Sequence, residues 1–298
     1  MTTMQYPRPS PESALRRYDE NMARIKARSK PPTATRSTPN SEEKSGNPEI
    51  LPTWPAPVRA VPNAVLRGAL FTVRQERATC NKRTLVASVK GIEIRFKGER
   101  FNQTDLDVWE TILHLARAQQ LGAKVRFSAH ALLTMLGRQH GKTQHEQLKE
   151  DITRLAGSVV EVTSNEGRTF GGSLVQAYYR DESSQLYAIE LSPQLLSLYQ
   201  TGNSYIDWNE REGLGKANLA KWLHGFFSSH EAPLPYKVAT IKDLCGADRD
   251  QRLGDFRKAL RKAMDLLKAR TTLILDWHID DHDLLHIKKK LAVPHGEK

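Results

Sequence analysis

The chain has 298 residues, 39% of them hydrophobic, and carries 45 Lys and Arg against 34 Asp and Glu, a formal net charge of +11. That length suits roughly two domains plus tails, and the cationic surplus favours a polyanionic partner because neutralised phosphates release condensed counterions; a merely solvated basic surface and an anionic membrane surface are the plainer readings. No apolar run is long enough to span a bilayer, Met1 to Ser10 lacks an apolar signal-peptide core, and Cys80 and Cys245 read as reduced, buried thiols of a cytosolic protein.

Residues 1–56 are predicted to be a disordered tail. Pro31, Pro32, Pro39, Pro48, Pro52, Pro55 and Pro57 interrupt any regular element there. Ser10-Pro11 is a helix-start signal followed by Leu15, Tyr18, Met22 and Ile25 at helical spacing. That stripe is too thin for a stable isolated helix; it folds on a partner or does nothing. Structured sequence begins near Val58. Ala69 to Val73 is predicted as a strand, and Leu85 to Phe101 as a hairpin turning at Lys90-Gly91. Thr104 or Asp105 caps a helix carrying Val108, Trp109, Ile112, Leu113 and Leu115. Lys124 to Phe127 is a short strand, and Ser128 caps a helix that stops at Gly137. Gly141 to Ala156 is a further helix with Leu148, Ile152 and Leu155 inward. Three strands follow, Val159 to Val162, Leu174 to Tyr179 and Leu186 to Leu191, with a Gly-rich turn at Glu166 to Gly172.

Helix, short strand, helix, turn, helix, hairpin is the winged-helix layout, a helix-turn-helix followed by a β-wing. The same order recurs: a helix over Lys216 to Phe227, a strand at Tyr236 to Val238, a helix from Ile241 to Cys245 capped by Thr240, a long helix from Arg249 to Ala269, and a hairpin of Leu273 to Trp277 with Leu284 to Lys288. The expected fold is α+β, two winged helices in tandem behind a disordered tail. Residues 57–204 form the first and 205–298 the second, divided near Tyr205.

Several segments resemble a known family. They are Trp54-Pro55, Ala60-Val-Pro-Asn63, Arg67-Gly-Ala-Leu-Phe-Thr72, Arg154-Leu155, Phe226-Phe-Ser-Ser-His230, Leu244-Cys-Gly246 and the acidic turn before Leu284-Leu285-His286. From about Trp54 to Lys290 the chain resembles the TrfA-type replication initiators of broad-host-range plasmids. The resemblance implies tandem winged helices on directly repeated origin sites (iterons), melting of adjacent A·T-rich DNA, and recruitment of the host replicative helicase and initiator proteins. It also implies a homodimer in equilibrium with an active monomer. The family's sliding-clamp peptide, Gln-Leu-Ser-Leu-Phe, is replaced here by Asn47-Pro-Glu-Ile-Leu-Pro-Thr53, which removes the basis for clamp binding by that route.

Gly137 to Thr143 approaches the phosphate-binding P-loop pattern but has three residues between its glycines instead of four and follows a helix instead of a strand. It reads as a helix stop, a turn and a new helix start. His278, Asp280, Asp281, His282, Asp283 and His286 contain metal-ligand types, but strand alternation separates them, and they read as a polar wing tip. No His-hydrophobic-His triplet accompanies a nucleophilic Tyr, as nicking chemistry requires. No catalytic residue, metal or cofactor is expected.

The candidate DNA-contacting residues lie on the two recognition helices. Lys142, Thr143, Gln147, Lys149 and Arg154 are expected on the outer side of the first helix, and Arg168 in the Gly-rich turn. Arg249, Gln251, Lys258, Arg261 and Lys262 are expected on the second. Glu146, Glu150 and Asp265 interrupt the positive surface. The function expected is origin-specific duplex binding that initiates plasmid replication in the cytoplasm. A winged-helix transcriptional regulator without initiator activity, or a scaffold anchored on DNA, remains open.

Overall fold

A computed structural model describes residues 50–119 and 121–290. The tail up to residue 49, with its Ser10-Pro11 helix signal, lies outside the described residues. Residues 50–56, expected as the end of that tail, are not loose. Leu51 and Trp54 are buried, and the Trp54 indole N–H donates to His114 Nδ1 at 2.9 Å. Burying two such side chains contributes roughly 2–3 kcal/mol each, enough to anchor an extended, proline-rich segment without regular structure.

The first part of the chain runs β1 (Val58–Pro62), α1 (Asn63–Leu66), β2 (Phe71–Thr72), β3 (Thr79–Val86), β4 (Ile92–Glu99), β5 (Phe101–Asn102) and α2 (Gln103–Ala116). The β3–β4 hairpin turns where expected, with Gly91 at φ +96°. The strand expected over Ala69 to Val73 shortens to Phe71–Thr72, paired parallel with β5. The cap of α2 is Asn102, not Thr104 or Asp105. Its side chain accepts from Thr104 and Asp105 N–H, while the Asp105 carboxylate accepts from Asn102 N–H at 2.8 Å. That reciprocal pair is a capping box.

Next come β6 (Lys124–Ser128), α3 (Ala129–Met135), α4 (Lys142–Gly157), β7 (Val159–Ser164), β8 (Thr169–Gly172), β9 (Ala177–Asp181) and β10 (Leu186–Glu190). Here the topology corrects the expectation of three strands. β7 and β8 leave the winged helix and extend the β3–β4 hairpin into an antiparallel sheet of order β3-β4-β7-β8, whereas β9 and β10 join β6 in the order β6-β10-β9. The first wing is therefore the β9–β10 hairpin. Val160 and Val162 draw β7 away because they oppose Phe96 and Ile94 in register, and all four side chains are buried in one core.

A 3-10 turn (Pro193–Leu195), α5 (Leu196–Gln200) and β11 (Asn203–Asp207) close this part, and β11 pairs antiparallel with β1, Tyr205 opposite Ala60. One apolar core runs from Leu51 to Ile206; a second begins at Leu214 and ends at Leu285.

The second winged helix contains α6 (Trp208–Gly213), α7 (Asn218–Ser228), β12 (Tyr236–Lys237), α8 (Val238–Leu244), α9 (Leu253–Arg270), β13 (Ile274–Ile279) and β14 (Leu284–Lys289), with strand order β12-β14-β13. Helix α8 starts at Val238 without a side-chain cap, so Thr240 lies inside it. Helix α9 starts at Leu253, which leaves Arg249 and Gln251 in the preceding turn and Leu253 itself 36% exposed instead of in the core. Cys245 is buried, its thiol pushed up to about 12 by that burial; Cys80, expected to be buried as well, is only half-buried on β3. Among the described residues no helix is long and apolar enough to cross a membrane.

A polar junction joins the two winged helices. Asp107 on α2 accepts from Arg211 Nε at 2.7 Å and Lys221 Nζ at 2.6 Å, and Arg211 also donates to Gln103 Oε1 at 2.9 Å. Trp222 Nε1 donates to Gly68 O at 3.1 Å. At Gly246 (φ +62°) an added Cβ would stand 2.6 Å from the Thr72 methyl, so close approach and backbone conformation both call for glycine there.

Candidate nucleic-acid interface

Helix α9 buries Phe256, Leu260, Ala263, Met264 and Leu267, a 3–4 spacing that leaves its opposite side in solvent. Lys258, Arg261 and Lys262 are exposed on that side. Lys258 stands 3.5 Å from Asp255, an exposed pair of small energetic weight. Arg261 and Lys262 form no ion pair or hydrogen bond with another described residue. Arg257 is committed elsewhere: its guanidinium forks onto Asp283 at 2.7 and 2.9 Å, bracing the helix against its wing and holding the Asp283 carboxyl below the usual range. Arg249 is exposed and Gln251 half-buried in the turn leading into the helix.

Helix α4 is built differently. Gly137, in the left-handed region at φ +63°, ends α3, and Gly141 N-caps α4 without a side-chain bond. The P-loop-like segment is thus a helix stop, a turn and a helix start. Lys142 and Thr143 are exposed on the first turn, beside the unpaired amides of the helix end. Beyond them the side chains turn to internal partners. Gln147 donates to Asp151 at 2.9 Å, Lys149 meets Glu182 of the first wing at 3.3 Å, and Thr153 pairs with the Tyr178 hydroxyl at 2.8 Å.

Arg154, expected to face outward, is 7% exposed. It donates to Asp105 at 2.7 Å and Asp151 at 3.1 Å and lies 3.2 Å from Glu99. Burial lowers its pKa, but Asp105, Glu99 and Asp151 together hold it above its ordinary value. Arg77 joins Asp105, and Arg138 meets Asp151 at 3.0 Å. A helical wheel places arginine outward by its charge. Here the buried carboxylate of the α2 capping box, far away in sequence, reverses that. The buried Asp151, three residues before Arg154 on the same side of α4, is the local signal for this arrangement. Arg168 is exposed on the β7–β8 turn, 3.3 Å from Gln200 and 3.5 Å from Glu166. It therefore belongs to the four-stranded sheet and not to the wing.

Both wing tips are acidic, and each is tied to the helix before it, Glu182 to Lys149 and Asp283 to Arg257. Asp181 accepts from Ser183 and Ser184, bonds that bring its carboxyl down to about 2. Asp280 accepts from His282 N–H and Leu284 N–H, and its other oxygen lies 2.9 Å from His286 Nε2. The His278 and His286 rings stack at 4.6 Å. Among the described residues no group of three or more His, Cys, Asp and Glu is placed to hold a metal ion.

Residues 48–289 match the protein family described as TrfA protein. The chain belongs to the TrfA family. It is 25% identical over 249 residues to the plasmid replication initiator protein TrfA of Escherichia coli, a match covering 81% of this chain and 64% of that protein. The chain thus spans just under two thirds of that relative's length. Among solved structures it is similar to domains 2 and 3 of RctB, with a TM-score of 0.51 at 12% identity over 76% of this chain and 98% of the other; this is a likeness of fold.

Three of the TrfA-like segments noted in the sequence, Arg67-Gly-Ala-Leu-Phe-Thr72, Phe226-Phe-Ser-Ser-His230 and Leu244-Cys-Gly246, meet at the domain junction, whereas Arg154-Leu155 lies on α4 and the acidic turn is the second wing tip. Arg67 donates to the Ser229 hydroxyl at 3.2 Å and to its carbonyl, which ties Arg67-Gly-Ala-Leu-Phe-Thr72 to Phe226-Phe-Ser-Ser-His230. Phe226 stacks on Trp222 at 4.7 Å, and Gly246 packs on Thr72. These three segments therefore hold the two winged helices together.

Proposed function

We propose that the chain is a plasmid replication initiator that binds directly repeated duplex sites at its origin, using α4 and α9 as paired reading helices. The single observation that carries this reading, together with TrfA family membership, is the exposed face of α9, where Lys258, Arg261 and Lys262 stand opposite the buried Leu260 row of a winged helix. In this motif the third helix enters the major groove, phosphate contacts set its register and side chains read base edges. Lys142 and Thr143 on α4 supply the corresponding contacts of the first winged helix; Arg249 and Gln251 flank the second. The change of core between Ile206 and Leu214 supports two domains meeting near Tyr205.

Several copies bound side by side strain flexible A·T steps and help open them for the host helicase. The protein acts in the cell interior, by binding and not by cutting DNA, and exchanges between monomer and dimer. A footprint on DNA flanking its own gene locates the repeats, and a plasmid carrying them is expected to persist only where the protein is supplied in trans. Binding without plasmid maintenance would make the chain a transcriptional regulator instead.

A further inference from the structure

A cleft of about 720 Å3 separates the two winged helices. One wall is the α3–α4 turn with the start of α4, the other is the loop between α6 and α7, and the β2–β3 connection also lines it. Most charges on these walls are spent internally: Asp107 holds Arg211 and Lys221, Arg138 and Arg77 serve the buried Asp151 and Asp105, and Glu212, the other carboxylate of the lining, is pushed up by burial towards its neutral form. Gln75, Gln139, Gln144 and Lys216 are different. They line the cleft, and their side chains make no hydrogen bond or ion pair with another described residue. Gln75, Gln139 and Lys216 are exposed and Gln144 is half-buried.

The position of the cleft suggests a ligand. The β2–β3 connection leads from it to the approach of α9, where Val73 N–H donates to Cys245 O at 3.1 Å and Arg74 lies 3.8 Å from Asp248. The cleft therefore opens beside the start of α4, and its β2–β3 wall leads towards the turn before α9; helices of this motif reach bases by their N-terminal ends. On the reading that both helices engage one duplex, the backbone between the two contacts passes this side of the molecule. Primary amides and one uncommitted ammonium suit a singly charged phosphodiester, whereas a nucleoside triphosphate calls for several free cations.

We propose that this interdomain cleft seats a phosphodiester of the duplex between the two major-groove contacts, with Lys216 as its charged ligand and Gln75, Gln139 and Gln144 as hydrogen-bonding ligands. This rests on the reading that both helices meet one duplex. The test combines Lys216→Ala, Gln75→Ala and Gln139→Ala in the full chain. Affinity is measured by fluorescence anisotropy on the footprinted origin duplex and on a random duplex of equal length, across a salt series. The triple variant is expected to melt like the parent, to lose about tenfold or more in affinity for both duplexes by a similar factor, and to show a salt slope shallower by about one. Lys216→Arg is expected to keep the parental slope. A neutral methylphosphonate at one internal phosphate of the origin duplex should weaken the parent and leave the triple variant indifferent.

Parental affinity and slope on both duplexes would overturn the proposal, as would weakened binding of inorganic phosphate or ATP with duplex binding unchanged. A parent that fails to prefer the origin contradicts the initiator reading alone, because a shared loss on random DNA still reports on the cleft.

Discussion

Helix α4 carries Lys142, Lys149 and Arg154, and helix α9 carries Lys258, Arg261 and Lys262. The two occupy the same place in their winged helices, but α4 sets three cations against three carboxylates, a net charge of 0, whereas α9 sets six cations against two carboxylates, a net charge of +4. In α4 the arginine is buried among Asp105, Asp151 and Glu99, and the second lysine faces the wing, so only the first turn is open. In α9 the corresponding brace is Arg257 on Asp283, a different residue; on the outer row Lys258 has only an exposed pair with Asp255, and Arg261 and Lys262 form no ion pair or hydrogen bond with another described residue. A cation near a duplex-facing helix is therefore not by itself a contact. Its nearest carboxylates decide whether it holds the fold together or stays available to phosphate.

The sharpest way to break that comparison is Arg154→Ala. Removing one partner of a buried ion-pair cluster leaves Asp105 and Asp151 undercompensated and is expected to destabilise the protein by about 3–5 kcal/mol, read from denaturant unfolding. A loss of DNA affinity with stability unchanged would instead make Arg154 a contact.

A second effect comes from Glu110 on α2, which is 1% exposed with neither carboxylate oxygen hydrogen-bonded among the described residues. Burial pushes its pKa up to about 8, against the opposing pull of Arg59. The folded state then keeps a proton that the unfolded chain releases above about 4.5, so stability present below that pH is lost as pH rises towards about 8. Glu110→Gln is expected to match the parent's melting temperature near pH 4 and to exceed its stability by at least about 1 kcal/mol at pH 8. Parallel pH profiles for the two proteins would contradict this.

The smallest effect sharpens the contrast from the other side. Lys149→Ala removes a part-exposed pair with Glu182 and is expected to change stability by under about 1 kcal/mol and origin affinity only slightly. A large affinity loss would return α4 to equal standing with α9.

The helices were legible in the sequence because Leu148, Ile152 and Leu155, and again Phe256, Leu260, Met264 and Leu267, recur at helical spacing. The partners of the strands were not. Val159–Ser164 and Ala177–Asp181 are both short strands flanking the Gly-rich turn, and only the tertiary match of Val160 and Val162 with Phe96 and Ile94 sends the first to another sheet. Arg154 was misread because its nearest counter-ion, Asp105 of the capping box, lies 49 residues away, and Asp151 three residues before it reads as another exposed acid. Leu51 and Trp54 were hidden by the prolines around them, which signal irregular backbone but say nothing of burial.

The central claim is that the open face of α9 binds the origin, and Lys258→Ala with Lys262→Ala tests it most directly. The measurement is origin affinity across a salt series, with melting temperature alongside and Leu260→Ala as the control for lost folding. The double variant is expected to melt within about 0.5 kcal/mol of the parent, to bind much more weakly and to show a shallower salt slope. Leu260→Ala is expected to lose about 2–5 kcal/mol of stability and to weaken binding only through that loss. A double lysine variant that binds the origin like the parent at every salt concentration would contradict the account and move recognition to the first winged helix.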